Sequence, residues 1–174
     1  MASLRPFRCS DLLQMGLTNI NPLTETYHPG FYYEYISVWP EYCNAFETMS
    51  GAMSAYILGK VEGKGKLWHG HVTAVTVAPE FRRLGMARDL MTSLEDTTDE
   101  HGGYFVDLFV RERNALAIGM YRKFGYEVYR RVLGYYGDNG EDAYDMRRAG
   151  RRDVLCQSTI PMDRPVRPSE ISFD

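Results

Sequence analysis

The most informative stretch of this sequence is Val77-Ala78-Pro79-Glu80-Phe81-Arg82-Arg83-Leu84-Gly85-Met86-Ala87, in which a strand end leads through a short turn into a helix. The first N–H groups of a helix have no partner within it, and the helix dipole adds partial positive charge there. Gly85 and Ala87 are small enough for a ligand to reach the backbone, while Arg82 and Arg83 supply charged donors. The stretch therefore predicts a site for an anion such as a pyrophosphate. An ordinary helix start with two solvated arginines is the alternative.

The elements around this stretch follow from hydrophobic spacing and turn residues. Strands are predicted at 4–9, 42–47, 53–61, 67–77, 104–110, 126–136 and 143–148, and helices after Ser10 and at 31–39, 84–100 and 114–124. Residues 72–77 are small or β-branched on both faces, which is typical of a central strand. Turns are predicted at Asn21-Pro22 and Gly137-Asp138-Asn139-Gly140, and the chain from Pro161 onward should be extended. One apolar face of the third helix is expected to carry Leu84, Ala87, Met91 and Leu94.

Composition indicates a single globular domain. The chain has 174 residues, of which 44% are hydrophobic and 25% charged, and it is long enough for one core. The apolar stretch at 72–79 is far shorter than the ~20 residues of a transmembrane helix, and residues 1–6 lack the apolar core of a signal peptide. We expect a cytoplasmic protein.

Cysteine spacing and net charge exclude other classes. Cys9, Cys43 and Cys156 are widely spaced and form no C-x-x-C pair, so neither a disulfide framework nor a zinc site is expected. A net charge of −3 gives no reason to expect direct nucleic-acid binding. A local basic cluster is interpreted either as a solvated helix end or as a docking patch, and it consists of Arg147, Arg148, Arg151 and Arg152.

A second patterned segment lies further along the chain, Asn114-Ala115-Leu116-Ala117-Ile118-Gly119-Met120-Tyr121-Arg122-Lys123-Phe124-Gly125-Tyr126. It matches N-x-x-A-x-x-x-Y-x-x-x-G-F/Y at every anchor, and residues 82–87 match Q/R-x-x-G-x-G/A. Together the two motifs resemble the GNAT superfamily of acetyl-CoA-dependent N-acyltransferases. The resemblance implies the GNAT fold, an α/β (α+β) architecture in which about four helices flank a central mixed seven-stranded sheet. Residues 1–150 would form the acetyltransferase domain and residues 151–174 a C-terminal extended tail.

The GNAT resemblance also implies roles for the residues of both motifs. Acetyl-CoA would be the co-substrate, with no metal. Backbone groups of Val75, Thr76 and Val77 would pair with its pantetheine arm, which Asn114 would also contact. Tyr121 would stand beside the sulfur and protonate the departing thiolate, since a phenol pKa of about 10 is close to that of a thiolate; one more core aromatic is the alternative. The pyrophosphate would be held by Arg82, Arg83, Leu84, Gly85, Met86 and Ala87.

Further segments resemble the catalytic subunit of NatB, which acetylates nascent chains that begin with Met followed by Asp, Glu, Asn or Gln. The resemblance covers nearly the whole chain and implies a large helical-repeat auxiliary subunit, through it the ribosome, and no membrane partner. Apolar faces at 12–17 and 31–39 fit such a subunit. The loop 62–67 and the turn 137–140 are shorter than expected of the family, so the resemblance does not predict the structure of the outer rim of the peptide groove. Matching segments include Pro22-Leu23-Thr24-Glu25-Thr26-Tyr27, Trp39-Pro40-Glu41-Tyr42, Trp68-His69-Gly70-His71-Val72-Thr73-Ala74 and Glu141-Asp142-Ala143-Tyr144-Asp145-Met146-Arg147.

Two tyrosine-rich loops, at 23–30 and 135–140, would flank the cofactor cleft of a GNAT fold. Glu25, Tyr27, Tyr135 and Tyr136 offer donors and acceptors for a peptide backbone, and Phe31 could enclose an apolar Met side chain. These tyrosines could instead pack the edge of the sheet.

His71 and Thr73 alternate with Val72 on one strand, so they share a face. From that face they would hydrogen-bond the side chain of the substrate's second residue, although a lone strand histidine is more often a core residue. His69, on the same face, is expected to be structural or supporting. The general base stays open between Glu25, His71 and a water, because an α-amine of pKa about 7.7–8.0 is already partly neutral.

Two other functions remain open. A GNAT enzyme acting on a small amine would use the tyrosine-rich loops to close a pocket, and assays of free amines against short peptides distinguish it. A catalytically silent acyl-CoA-binding regulatory subunit is the other, and the retention of Asn114 and Tyr121 argues against it.

Overall fold

A computed structural model describes residues 2–20, 22–137 and 140–173 of the chain. Its strands are β1 (Ala2–Pro6), β2 (Asn44–Thr48), β3 (Met53–Glu62), β4 (His69–Val77), β5 (Phe105–Arg111), β6 (Glu127–Tyr136) and β7 (Glu141–Ala149). Over the same residues the α-helices are α1 (Pro29–Val38), α2 (Met86–Glu100) and α3 (Ala115–Lys123). The strands form a seven-stranded sheet in the order β1-β2-β3-β4-β5-β7-β6, which confirms the predicted mixed sheet. The turns predicted at Asn21-Pro22 and Gly137-Asp138-Asn139-Gly140 each include residues outside the described ranges, namely Asn21, Asp138 and Asn139.

The first helix differs from its prediction. It is a 3-10 helix at Cys9–Gln14, and Ser10 lies inside it instead of capping it. Asp11 does the capping, because its Oδ2 accepts the N–H of Arg8 at 2.8 Å. The same carboxylate accepts hydrogen bonds from both terminal nitrogens of Arg5, at 2.7 and 2.8 Å. Burial alone would raise the pKa of Asp11, but the bonds to Arg5 and Arg8 hold it below its ordinary value.

Two helix starts are displaced for identifiable reasons. Helix α1 begins at Pro29, before the predicted position, because the Nδ1 of His28 accepts the N–H of Phe31 at 3.3 Å and caps it. Helix α2 begins at Met86, and Leu84 is 65% exposed outside it. Gly85 lies between Leu84 and the helix, and its φ of 87° is incompatible with α-helical geometry. The prediction that Leu84 belongs to the apolar helix face was therefore wrong.

The chain divides into two compact units, of which the first comprises Met1–Lys60 and Val72–Thr97. In it β1 pairs antiparallel with β2, and β2 with β3. Fully burying a large apolar side chain contributes about 1.5–3 kcal/mol, so its aromatic core is a main source of stability. The buried residues of this core are Phe7, Met15, Tyr32, Tyr35, Cys43, Ala45, Met53, Tyr56 and Leu58.

The second unit comprises Val61–His71 and Thr98–Asp174. In it β7 pairs antiparallel with both β5 and β6. Beyond β7 the chain lies along β6, because the N–H of Val166 donates to Arg131 O at 2.9 Å and Leu133 donates back to Val166 O at 2.8 Å. The segment predicted as extended therefore pairs with β6, and it also contains a 3-10 turn at Pro168–Glu170.

The basic cluster is not a helix end. Arg147 belongs to β7 and is buried, with its Nε 3.3 Å from Asp145 Oδ1 and its guanidinium 3.5 Å from the ring centroid of Tyr129. Arg151 pairs with Asp99 at 3.2 Å. These arginines thus stabilise the second unit. None of the helices that the structure describes combines the length and hydropathy needed to cross a bilayer.

Candidate active site

The turn between β4 and α2 has an unusual backbone. Arg83 and Gly85 have φ values of 67° and 87°, in the left-handed region that L side chains rarely adopt. Turns of this kind line up successive N–H groups into a concavity that binds anions. Upstream, the N–H of Ala78 donates to Ser54 O at 2.8 Å, and Arg82 Nε donates to Val77 O at 3.3 Å. These bonds fix the turn to the end of β4.

The start of α2 completes this turn. Asp89 N–H donates to Gly85 O at 3.1 Å, so the N–H groups of Met86 and Ala87 precede the first bond of the helix. The Met86 side chain is buried, with its sulfur 3.6 Å from Ser54 Oγ. Residues 82–85 are exposed. The predicted pyrophosphate residues therefore form one continuous turn whose N–H groups and arginines can meet an anion.

The end of β4 fits a role for its backbone more than for its side chains. Thr76 is buried, and its hydroxyl donates to Thr18 O at 3.1 Å. Val75 and Val77 are half-buried. The pairing of this backbone with a cofactor arm, which the GNAT resemblance implies, stays a prediction.

An aromatic column in the first unit leads from the 23–30 loop to β4. The ring of Phe31 stacks on Tyr27 at 4.1 Å and on Tyr35 at 4.6 Å, between ring centroids. The hydroxyl of Tyr35 lies 2.9 Å from Thr73 Oγ1. Glu25 is half-buried on the same loop as Tyr27. Two predicted peptide-binding residues, Tyr27 and Thr73, are therefore connected through a residue that sequence reasoning did not select, Tyr35.

A second cluster lies in the second unit around Phe109. His71 has its ring centroid 5.7 Å from that of Phe109, which stacks on Tyr135 at 4.6 Å with 7° between the planes. Tyr136 donates its hydroxyl to Phe109 O at 3.4 Å, and the guanidinium of Arg111 lies 3.9 Å from the Tyr136 ring centroid. The structure thus brings three predicted substrate residues together: His71, Tyr135 and Tyr136.

Behind this cluster lies a buried carboxylate, Asp107 on β5. Its Oδ1 is 2.7 Å from the Nδ1 of His71 and 3.5 Å from the Nε2 of His69. Burial alone would raise the pKa of Asp107, but the charges of His71, His69 and Arg147 and the bond from His71 hold it below its ordinary value. Asp107 is therefore an anion, and His71 must carry its proton on Nδ1.

His69 has the supporting position that the sequence suggested. It is fully buried, and its Nδ1 lies 2.6 Å from Leu67 O, so that nitrogen carries the proton. Its ring packs between Phe105 and Phe173, with centroids 4.5 and 4.4 Å away. These contacts hold the ring beside Asp107.

Helix α3 carries the remaining predicted residues. Asn114 caps the helix, with its Oδ1 accepting the N–H of Ala117 at 3.2 Å, so its side-chain NH₂ is the group left for a cofactor. Tyr121 is 9% exposed, and burial raises its pKa well above the ordinary value of 10. The phenol therefore keeps its proton across the physiological range, but it is a weaker acid than the sequence argument assumed.

Comparison with known proteins identifies the family. The family model of the acetyltransferase (GNAT) family matches residues 14–126. The catalytic subunit NAA20 of the N-terminal acetyltransferase B complex of Arabidopsis thaliana is 50% identical over 175 residues, covering 100% of each chain. The chain belongs to the GNAT acetyltransferase family.

Solved structures agree with this GNAT assignment. Naa20 of Chaetomium thermophilum in complex with a bisubstrate analogue has a TM-score of 0.90 at 41% identity, over 96% of this chain and 97% of that one. The NatB acetyltransferase complex bound to a bisubstrate inhibitor has a TM-score of 0.87 at 38% identity, over 98% and 99%. Within the GNAT family the chain is a catalytic N-terminal acetyltransferase of the NatB type, with acetyl-CoA as co-substrate. The predicted fold and enzyme class are confirmed, and the roles of individual residues stay predictions.

Three residues that contact the predicted site residues were not selected from the sequence: Asp107, Phe109 and Tyr35. Asp107 is the single acidic residue in the apolar stretch 104–110, and a charge in such a strand signals a buried partner. Tyr35 follows Phe31 by one helical turn, and that spacing predicts a shared face. No local signal in the sequence points to the role of Phe109.

Proposed function

We propose that this enzyme transfers the acetyl group of acetyl-CoA to the α-amine of proteins that begin Met-Asp, Met-Glu, Met-Asn or Met-Gln. The observation that carries the proposal is the full-length similarity to catalytic subunits of NatB, at 50% identity for the Arabidopsis protein. A polar cluster around His71, Tyr135 and Tyr136 supports it, because polar second residues need hydrogen-bond partners.

Acetyl-CoA would be held at the turn between β4 and α2. Backbone groups of Val75, Thr76 and Val77 pair with the pantetheine arm, and the NH₂ group of Asn114 contacts that arm as well. Charged donors and helix N–H groups are the usual partners of phosphate. The residues of the turn that bind the pyrophosphate are Arg82, Arg83, Leu84, Gly85, Met86 and Ala87.

The chemistry is an acyl transfer from sulfur to nitrogen. The neutral α-amine attacks the thioester carbonyl, a tetrahedral oxyanion forms, and its collapse expels the CoA thiolate. Tyr121 stands at the sulfur and donates its proton to the thiolate, with its raised pKa ensuring that the proton is present. After the attack the nitrogen loses a proton to water, to Glu25 or, when the His71 ring is neutral, to the Nε2 of His71, since the Nδ1 of His71 is bonded to Asp107.

The peptide would be bound by the 23–30 loop and by the end of β6. Glu25 and Tyr27 on the loop, with Tyr135 and Tyr136 at the end of β6, bond the first residues of the backbone. The second side chain meets His71 and Thr73 on β4. Thr73 already shares a hydrogen bond with the Tyr35 hydroxyl. That bond determines whether the Thr73 hydroxyl donates to the substrate or accepts from it. The proposed substrate-binding residues of the enzyme are therefore Glu25, Tyr27, His71, Thr73, Tyr135 and Tyr136.

A large helical-repeat auxiliary subunit is the partner we propose, linking the enzyme to the ribosome in the cytoplasm, so that acetylation is co-translational. Support comes from apolar side chains of the first unit that face solvent. Contiguous exposed apolar surface on a small protein marks an interaction site. These side chains lie on the 3-10 helix, the turn that follows it and α1: Leu13, Leu17, Ile20, Tyr33 and Val38, at 91%, 51%, 60%, 50% and 53% exposure. We further propose residues 1–150 as the catalytic domain and 151–174 as a tail.

A peptide panel tests the proposal, with the enzyme assayed alone and after co-expression with a candidate auxiliary subunit. Peptides vary at the second position after Met, and a polyamine and a free amino acid serve as small-amine controls. We expect kcat/KM to be highest for Asp, Glu, Asn and Gln. Preference for a free amine would contradict the proposal. Thioester turnover absent in both preparations, with CoA bound, would show a silent acyl-CoA-binding subunit.

A further inference from the structure

Asp107 is a buried anion with no role in the chemistry described so far. It lies in the middle of β5, where its neighbours Val106 and Leu108 are apolar and buried. Its Oδ1 accepts the Nδ1–H of His71 at 2.7 Å. A buried carboxylate is costly unless a partner compensates it, so the pair is a constraint on the His71 ring. With Nδ1 fixed, Nε2 is the only ring nitrogen that can meet a substrate.

Other charged and titratable groups also surround His71. Glu62 on β3 and His69 on β4 each place a side-chain nitrogen or oxygen atom within 4.8 Å of one on His71. The Nε2 of His69 lies 3.9 Å from Glu62 Oε1 and 3.5 Å from Asp107 Oδ1. On β7, the positive charge of Arg147 helps to lower the pKa of Asp107, while Asp145 is nearby and its pKa is raised by burial and by the charge of Asp107. The carboxylates of Asp107 and Glu62 thus lie beside the imidazoles of His71 and His69.

We propose that Asp107 is a positioning residue that lets His71 bind both acidic and amide second residues. With a second residue Asp or Glu, His71 is an imidazolium, and its Nε2–H donates to the substrate carboxylate. With Asn or Gln, His71 is neutral, and Nε2 accepts from the substrate NH₂ group. In both states the Nδ1–H stays on Asp107, so the ring need not turn. The inference rests on the proposed function and deepens it.

The sign of the pH effect follows from this exchange. An acidic second residue binds the protonated histidine, whereas an amide binds the neutral one. The ratio of kcat/KM for Met-Asp over Met-Asn therefore falls as the pH rises. Amine protonation affects both peptides alike and cancels in the ratio.

The decisive variant is Asp107→Asn, which keeps an oxygen for the Nδ1–H but removes the charge. We expect the Met-Asp to Met-Asn ratio to fall by at least about tenfold, the scale of one hydrogen bond to a charged group. The matched control is Asp145→Asn, which removes a buried carboxylate that is bonded to Arg130 and not to His71. It should leave the ratio within about twofold of wild type, since Nδ1 of His71 keeps its bond to Asp107 in that variant. Equal losses on both peptides in Asp107→Asn would overturn the proposal.

Measurements on wild type alone keep the inference testable if the variant does not fold. Nitrogen NMR of the histidine rings reports which nitrogen carries the proton, independently of turnover. We expect the proton of the neutral His71 ring on Nδ1, because Asp107 Oδ1 lies 2.7 Å from that nitrogen. A proton on Nε2 alone, or a substrate ratio that does not change between about pH 6 and 8, would overturn the inference. Failure to acetylate either peptide would instead overturn the proposed function.

Discussion

Replacing Gly85 tests the backbone geometry on which the anion site depends. Its φ of 87° is left-handed, and a Cβ placed there meets nothing within 4 Å, so alanine adds strain without a clash. The left-handed region costs an L residue about 1–2 kcal/mol. If Gly85→Ala keeps the turn, this amount appears as lost stability. If the free protein relaxes the turn, part of it appears as weaker CoA binding, and the two losses should sum to about 1–2 kcal/mol.

Two further variants make the experiment specific. Gly119→Ala changes a glycine in α3 that also has no atom within 4 Å of its Cβ, and it should stabilise the protein by about 1 kcal/mol. Gly85→Glu adds the same strain as Gly85→Ala plus a negative charge beside the bound pyrophosphate. Urea denaturation measures stability, and calorimetric titration measures CoA affinity. Equal CoA affinities for Gly85→Glu and Gly85→Ala would refute the anion-site assignment, and a Gly85→Ala protein as stable as wild type with unchanged affinity would refute the strain argument.

Three other predictions concern single side chains. Tyr121→Phe should lower kcat by about 10²-fold, the scale of a positioned acid, while CoA affinity in calorimetry persists; near-normal turnover would make the phenol structural. Tyr35→Phe removes the 2.9 Å bond to Thr73 and should cost about 0.5–1.5 kcal/mol in urea denaturation with CoA binding unchanged, and a more stable variant would contradict that bond. Asp11→Asn should cost about 1.5–3 kcal/mol at pH 7, the scale of hydrogen bonds to a charged group, because it removes the charge that binds Arg5 and the Arg8 N–H while Arg5 keeps Glu47 at 3.0 Å. Since the folded pKa of Asp11 is depressed, the carboxylate stabilises the fold above its unfolded pKa of about 3.9, and the gap between variant and wild type should close as the pH falls through the lower folded pKa. A gap that is constant with pH would show that the ion pair is not its source.

Periodic segments were predicted well because their pattern and their packing agree. The strand at 72–77 was identified as central from its small and β-branched residues, and β4 indeed lies between β3 and β5 in the sheet order. Helix α3 begins after the expected Asn114, whose side chain caps it. Both features depend on local sequence, which is what periodicity and capping rules read.

The remaining differences come from tertiary contacts. Ser10 has cap chemistry, yet Asp11 captures Arg5 as well as the Arg8 N–H, and that larger gain decides the cap. Leu84 has the helix spacing, but the left-handed Gly85 excludes it from α2. The charge partner of His71 is separated from it by 36 positions, so only the sheet reveals it.

We propose that this enzyme acetylates the α-amine of an N-terminal Met that is followed by an acidic or amide second residue. The most direct measurement uses one peptide that begins Met-Asp and carries an internal lysine, incubated with enzyme and acetyl-CoA. Tandem mass spectrometry then locates the acetyl group, and a peptide beginning Met-Lys serves as the matched control. We expect acetyl on the α-amine of the Met-Asp peptide alone. Acetyl on the lysine side chain, or equal modification of the two peptides, would contradict it.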